Sequence, residues 1–168
     1  MFSYQGILED GTVVSRYQNI DRMNQYGVEV IFQSNDLLLD GLDLETGLSW
    51  MDARTIRNAT APASEGVQFP RIPKWRWNGN LRYALTPKLR ASLGWRVASR
   101  PNSDLFGLVR GGAYGFQTEY GFADVKLTYA ATQKIDISLG VDNLNNDQAY
   151  VSHPLPQRTF MLEVKYRD

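Results

Sequence analysis

Few side chains in this sequence are of a kind that performs covalent chemistry, and none is spaced for it. Histidine occurs once, at His153, and cysteine does not occur. A metal centre needs several His, Cys, Asp or Glu ligands brought together, and no such cluster surrounds His153. Its neighbours Pro154 and Pro156 predict a stiff loop instead. Oxygen-bearing side chains crowd one short stretch, at Asp142, Asn143, Asn145, Asn146 and Asp147. Calcium would use such oxygens, but the EF-hand spacing and its closing glutamate are missing. Asn and Asp at this density predict turns that bond to their own backbone. The Gly-rich residues 107–115 lack the Lys-Ser/Thr pair and the strand–loop–helix setting of a phosphate loop. No Ser-His-Asp or Cys-His set is discernible, and isolated carboxylates do not define an acid–base pair. Binding, not catalysis, is the expected role, with no cofactor and no metal.

The bulk properties narrow the classes further. The 168 residues carry 18 basic and 18 acidic side chains, so the net charge is zero and a nucleic-acid partner is not expected. No run of about 18 apolar residues occurs, so no transmembrane helix is expected. The opening Met1-Phe2-Ser3-Tyr4-Gln5-Gly6 lacks the basic start and apolar stretch of a signal peptide. An outer-membrane destination would therefore make this chain the later part of a longer protein.

The elements that position these residues are strands. Apolar and polar residues alternate with the strand period of two. At the C-terminus, Phe160, Leu162, Val164 and Tyr166 oppose Met161, Glu163, Lys165 and Arg167. Ile135, Ile137, Leu139 and Val141 oppose Asp136, Ser138, Gly140 and Asp142; Ala123, Val125, Leu127 and Tyr129 oppose Asp124, Lys126 and Thr128. The same pattern runs through 89–97, 75–85, 42–50 and 28–33, where Ile31 is an exception. A first strand is expected over 2–8, closed by the Asp10-Gly11 turn signal. About eight strands result. Short connections (34–40, 86–88, 131–133) alternate with long ones (53–72, 98–117, 143–158), the habit of outer-membrane barrels.

Alternation alone also fits a soluble sandwich or lectin-like module with its apolar face inward. Three features favour a membrane barrel. The polar face is charged on nearly every strand while the apolar face is nearly free of charge, whereas a small soluble barrel fills its interior with apolar groups. Strands of about ten residues match a tilted bilayer crossing. Aromatics gather at strand ends, with Tyr129 and Tyr166 near short turns and Trp50, Trp75 and Trp95 nearer long loops, as two interfacial belts would. An eight-stranded barrel standing alone, with an adhesion or structural role, satisfies the same pattern.

The last thirty residues favour an arc of a larger barrel. Gly140-Val141-Asp142-Asn143-Leu144-Asn145-Asn146-Asp147-Gln148-Ala149-Tyr150 resembles the Gly-x-x-Asn-Leu segment near the end of TonB-dependent outer-membrane receptors. His153-Pro154-Leu155-Pro156-Gln157-Arg158-Thr159-Phe160 resembles the lead into their final strand, and Tyr26-Gly27-Val28-Glu29-Val30 a strand further upstream. The resemblance implies an antiparallel up-and-down β-barrel segment, the C-terminal part of a 22-stranded receptor over residues 1–168. The full-length receptor would hold a plug domain, draw on the TonB system, sit in bacterial outer-membrane lipid, and import a scarce ligand such as a siderophore–iron, haem or cobalamin. It also implies a C-terminal aromatic signal read by the barrel-assembly machinery, for which Tyr166 is the candidate. Glu29, Asp43, Glu45, Arg76, Arg82, Arg90, Arg96, Asp124, Lys126, Asp136, Glu163 and Lys165, with Arg167, would then face the lumen. Phe106, Arg110, Tyr114 and Phe116, on a long extracellular loop, would contact the ligand.

Overall fold

The computed structural model describes residues 2–7, 10 and 12–168. Seven strands form one antiparallel meander: β3 (Arg22–Ser34), β4 (Leu42–Arg57), β5 (Trp75–Thr86), β6 (Leu89–Ala98), β7 (Tyr120–Ala130), β8 (Ile135–Asp142) and β11 (Thr159–Tyr166). Each pairs with its sequence neighbour, and β3 and β11 are the two edges. Ahead of them, β1 (Phe2–Ile7) and β2 (Val13–Gln18) form a separate hairpin. The strand expected over 2–8 is thus one arm of a two-stranded unit; Leu8, Glu9 and Gly11 lie outside the described residues. A two-residue ladder, β9 (Tyr150–Val151) with β10 (His153–Pro154), sits inside the last long loop.

The register explains why these residues form this sheet. A one-residue slip would move every side chain to the opposite face, and no slip occurs between the apolar rows. Leu42, Tyr83, Ala91, Leu127, Leu139 and Leu162 are successive cross-strand partners across six strands. Leu44, Leu81, Leu93, Val125, Val141 and Phe160 form the next such row. The opposite face carries Asp43, Arg82, Ser92 and Lys126 in one row and Glu45, Asn80, Gly94 and Asp124 in another.

Among the described residues none covers the apolar rows. Val28, Leu48, Trp77, Leu93, Leu139, Leu162 and Val164 are all exposed. Among the described residues the buried apolar side chains are Ala53, Ala61, Ala98, Leu105, Phe122 and Ala149, which belong to the loops or to the strand ends beside them. A sandwich would bury its apolar face against a second layer about 10 Å away, and among the described residues this sheet has none.

Strand lengths exceed the sequence expectation at one end. The alternation marks 28–33 and 42–50, whereas β3 and β4 run 13 and 16 residues. Beyond Trp50 the hairpin continues with polar partners, Tyr26 opposite Asp52 and Asn24 opposite Arg54. Residues 66–74 extend it, because Met51, Ala53 and Thr55 exchange backbone hydrogen bonds with Lys74, Phe69, Val67 and Gly66. Backbone pairing does not need apolar side chains, so the ladder outlasts the pattern that announces it.

Candidate functional site

The charged face is the first part of the candidate site. Strand register puts Glu29, Asp43, Glu45, Arg76, Arg82, Arg90, Arg96, Asp124, Lys126, Asp136, Glu163 and Lys165 on one face. The sheet curls about it. One cavity of about 490 Å³ is lined from all seven strands of this sheet, from Glu29 on β3 through Glu45, Asn78, Arg96, Asp124 and Asp142 to Met161 on β11. Three ion pairs lie on this face: Arg96 with Asp124 at 3.0 Å, Lys126 with Glu163 at 2.6 Å, and Arg167 with Asp136. Among the described residues Arg76, Arg82, Arg90, Lys165, Glu29, Asp43 and Glu45 make no ion pair. The face therefore keeps charges of both signs free for another polar surface or for water.

Arg167 joins this face through Asp136, as the alternation predicts. Apolar residues also stand on this face, Met51 and Met161 among them. Ile31 is exposed on the charged face, and Phe122 is buried there beneath the Arg96 guanidinium, 5.3 Å from its ring centre.

The three long connections form the second part, a cap at one end of the sheet. Residues 58–74 and 99–119 meet where Asn102 donates from Nδ2 to the Gln68 carbonyl at 2.7 Å and Arg71 N–H donates to the Asn102 carbonyl at 2.9 Å. Residues 99–119 and 143–158 meet through Gly115, Phe116 and Thr118, whose backbones bond to Ser152 and Tyr150. The buried Gln117 adds a side-chain bond to Ser152 Oγ at 2.8 Å. Arg100 and Glu119 form an ion pair between the two ends of the 99–119 loop. The guanidinium holds the Glu119 carboxyl below the usual glutamate range, and Arg110 adds to the effect.

The oxygen-rich stretch is a turn, as Asn and Asp chemistry predicts. Asn143 takes a left-handed φ of 50°. Its Oδ1 accepts from Asp147 N–H, and its Nδ2 donates to the Asp147 and Pro156 carbonyls. Asn145 and Asp147 reach back to the start of β7, where their side-chain oxygens accept the N–H groups of Ala123 and Gly121. These oxygens thus bond to backbone. Among the described residues no group of three or more His, Asp or Glu side chains is placed to hold a metal ion.

The four loop candidates are scattered in role. Arg110 and Tyr114 are exposed, and the Tyr114 ring meets His153 edge-on at 5.0 Å. Phe106 and Phe116 are half-buried. The Phe116 ring lies so close to Gly111 that a Cβ there would stand 2.9 Å from it, which makes Phe116 part of the loop's own packing. Sequence reasoning missed Asn102 and Gln117, which join the loops. Neither belongs to a periodic segment, so no local signal marks them.

The outer, apolar face ends in aromatic rings on both sides. Towards the long loops, Tyr26 packs on Trp50 at 5.7 Å, Trp50 on Trp75 at 6.2 Å, and Trp77 on Trp95 at 5.4 Å. Trp77 satisfies its indole N–H on Thr46 Oγ1 at 2.9 Å. Towards the short turns stand Tyr83, Tyr129 and Tyr166.

Comparison with known proteins agrees with this architecture. Residues 3–144 match the family model described as TonB dependent receptor-like, beta-barrel. The chain superposes on the siderophore receptor PiuA from Acinetobacter baumannii with a TM-score of 0.75 and 16% identity, covering 96% of this chain and 24% of that one. For the ferric-catecholate import receptor Fiu from E. coli K12 the values are 0.70, 21%, 96% and 23%. For the copper transporter OprC they are 0.66, 18%, 98% and 26%. At these identities the likeness is one of fold, and this chain spans about a quarter of the length of those structures. No curated protein matches it. An open antiparallel sheet, apolar on one face and charged on the other, with a family match over most of its length, places this chain in the TonB-dependent receptor β-barrel family.

Proposed function

We propose that residues 1–168 are the C-terminal part of the wall of a TonB-dependent importer in a bacterial outer membrane. The observation that carries this reading is the unbroken, exposed apolar face. In hydrocarbon every backbone polar group needs a partner, so strands cross a membrane only within a paired sheet. Here the greasy side chains look out to lipid and the ionic ones look into a wet lumen. Trp75 and Tyr83 stand eight residues apart on β5. That is about 26 Å along a strand, or roughly 20 Å of height at the usual tilt, near the roughly 25 Å apolar band of such barrels.

Function on this reading is binding and gated passage, without covalent chemistry. The cap of long loops faces outside and offers Phe106, Arg110 and Tyr114 towards a ligand of the metal-chelate kind, a siderophore–iron complex, haem or cobalamin, while Phe116 packs the loop that carries them. The charged face lines the lumen, where its free charges meet water and a plug domain contributed by the rest of the receptor. Energy reaches that plug from the TonB system. Insertion depends on the barrel-assembly machinery.

Adjacent residues test the orientation. Leu139→Arg puts a cation on the lipid side near the midplane and should cost about 2–4 kcal/mol of folding free energy in bilayers. Ser138→Arg, one residue away on the charged face, should be far milder. Equal losses for the two variants, measured by urea unfolding of the full-length receptor from phospholipid vesicles, would remove the basis for a lipid-facing row.

A further inference from the structure

Two of the three short turns between sheet strands are polar. One is Pro87-Lys88 and another is Ala131-Thr132-Gln133-Lys134. The turn joining β3 to β4 differs, because its tip is Leu37-Leu38-Leu39. Leu38 is 91% exposed and Leu39 is 55% exposed. Leu38 also holds a φ of 64°, a left-handed conformation that costs an L side chain energy.

This arrangement is built. Leu37 N–H donates to the Leu42 carbonyl at 2.7 Å, and Leu42 N–H to the Leu39 carbonyl at 3.1 Å. The Asp36 carboxylate accepts Gly41 N–H at 2.6 Å, and Ala84 N–H on β5 donates to the Gly41 carbonyl at 3.0 Å. The turn is therefore pinned to its own hairpin and to the next strand while its leucines project. A strained, braced residue that presents bare apolar surface calls for an apolar environment at that spot.

We propose that this turn is an interfacial anchor, with Leu38 and Leu39 seated among the lipids of the leaflet at the short-turn end. The inference rests on the membrane reading above. Lipid is favoured over a protein partner by continuity. β3 and β4 carry their apolar rows into the turn, ending on Phe32 and Leu42, and the exposed Leu85 of β5 lies at the same end. The carboxylates of Asp36 and Asp40 sit in the same turn, so it rests at headgroup level with only its leucines among the lipids. An anchored turn would fix the height of the β3–β4 hairpin in the bilayer, which matters because its strands are the longest of the sheet.

The chain has no cysteine, so single labels are clean. Leu38→Cys, and Leu39→Cys as a second position, are coupled to an environment-sensitive dye within the full-length receptor, any cysteine outside these residues being replaced by serine, and reconstituted into phosphatidylcholine vesicles. Leu139→Cys serves as the lipid-facing reference and Gln133→Cys as the aqueous turn reference. Quenching by nitroxide-bearing lipid and by iodide is then compared. The anchor requires labels at 38 and 39 to be quenched by the lipid, and several-fold less by iodide than the label at 133. Iodide quenching equal to that at 133 overturns it and leaves the turn as a water-facing surface. If the label at 139 also escapes the lipid quencher, the membrane reading itself has failed.

Discussion

Asn143 holds the last hairpin by doing several jobs in one residue. It turns the chain with a left-handed φ, and its side chain makes three hydrogen bonds at a buried site. Its own N–H donates to Asp124 Oδ1 at 2.8 Å, so the turn is tied to the carboxylate that also pairs with Arg96. Asn143→Ala should cost roughly 2–4 kcal/mol, because each lost bond is worth about 0.5–1.5 kcal/mol net. Asn143→Gly keeps the backbone angle accessible and should recover part of that loss. Urea unfolding of the folded chain in detergent micelles compares them; an alanine variant as stable as the parent would refute the assignment. Glu119 makes a different prediction. Its carboxyl titrates below the ordinary glutamate value because of Arg100. A depressed carboxyl contributes stability above its unfolded pKa and loses it as pH falls through the folded one. Cleavage of the 99–119 loop by an acid-active protease should therefore rise as pH drops below about 4. Glu119→Gln should be cleaved readily on both sides of that range, and a variant that keeps the parent's pH profile would show that the pair does not hold the loop.

At the scale of elements, the strands were legible and the loops were not. Rows such as Leu42–Tyr83–Ala91–Leu127–Leu139–Leu162 follow from alternation because lipid-side and lumen-side demands differ at every position. All twelve expected charged residues share one face for the same reason. The Asp10-Gly11 turn signal announced a first hairpin but not the bounds of its second arm, β2, since its six residues, Val13–Gln18, mix apolar and polar types without strict alternation. It also stopped β4 seven residues early, where pairing passes from apolar partners to Asp52, Arg54 and the 66–74 segment. The loop cap was invisible because its contacts are long-range and polar, Asn102 to Gln68 across 34 residues and Gln117 to Ser152 across 35. Glycine placement was half-legible. Gly79 breaks an apolar row in sequence, yet the Trp95 indole on the neighbouring strand covers it so closely that a Cβ there would lie 2.3 Å from the ring. An aromatic laid across a strand glycine restores the packing that the missing side chain gives up.

For the whole molecule, strand direction decides what the sheet can do alone. Six antiparallel pairings separate β3 from β11, so the two edges run the same way. Antiparallel closure needs an even number of strands, as bacterial single-chain barrels have, and seven cannot provide it. Closing this sheet into such a barrel would take an odd number of further strands between β11 and β3; the chain spans about a quarter of the length of the structures it resembles. The unpaired N–H and C=O groups of both edges would each cost several kcal/mol in hydrocarbon. Hydrogen exchange reads this directly. In detergent micelles the amides of β5, β6 and β7 should exchange slowly, because ladders flank them on both sides. Every second amide of β3 and β11 should exchange about as fast as loop amides, since its side of the strand has no partner. Uniform protection across both edge strands would mean that this chain pairs its edges by itself, and the requirement for additional wall strands would be wrong.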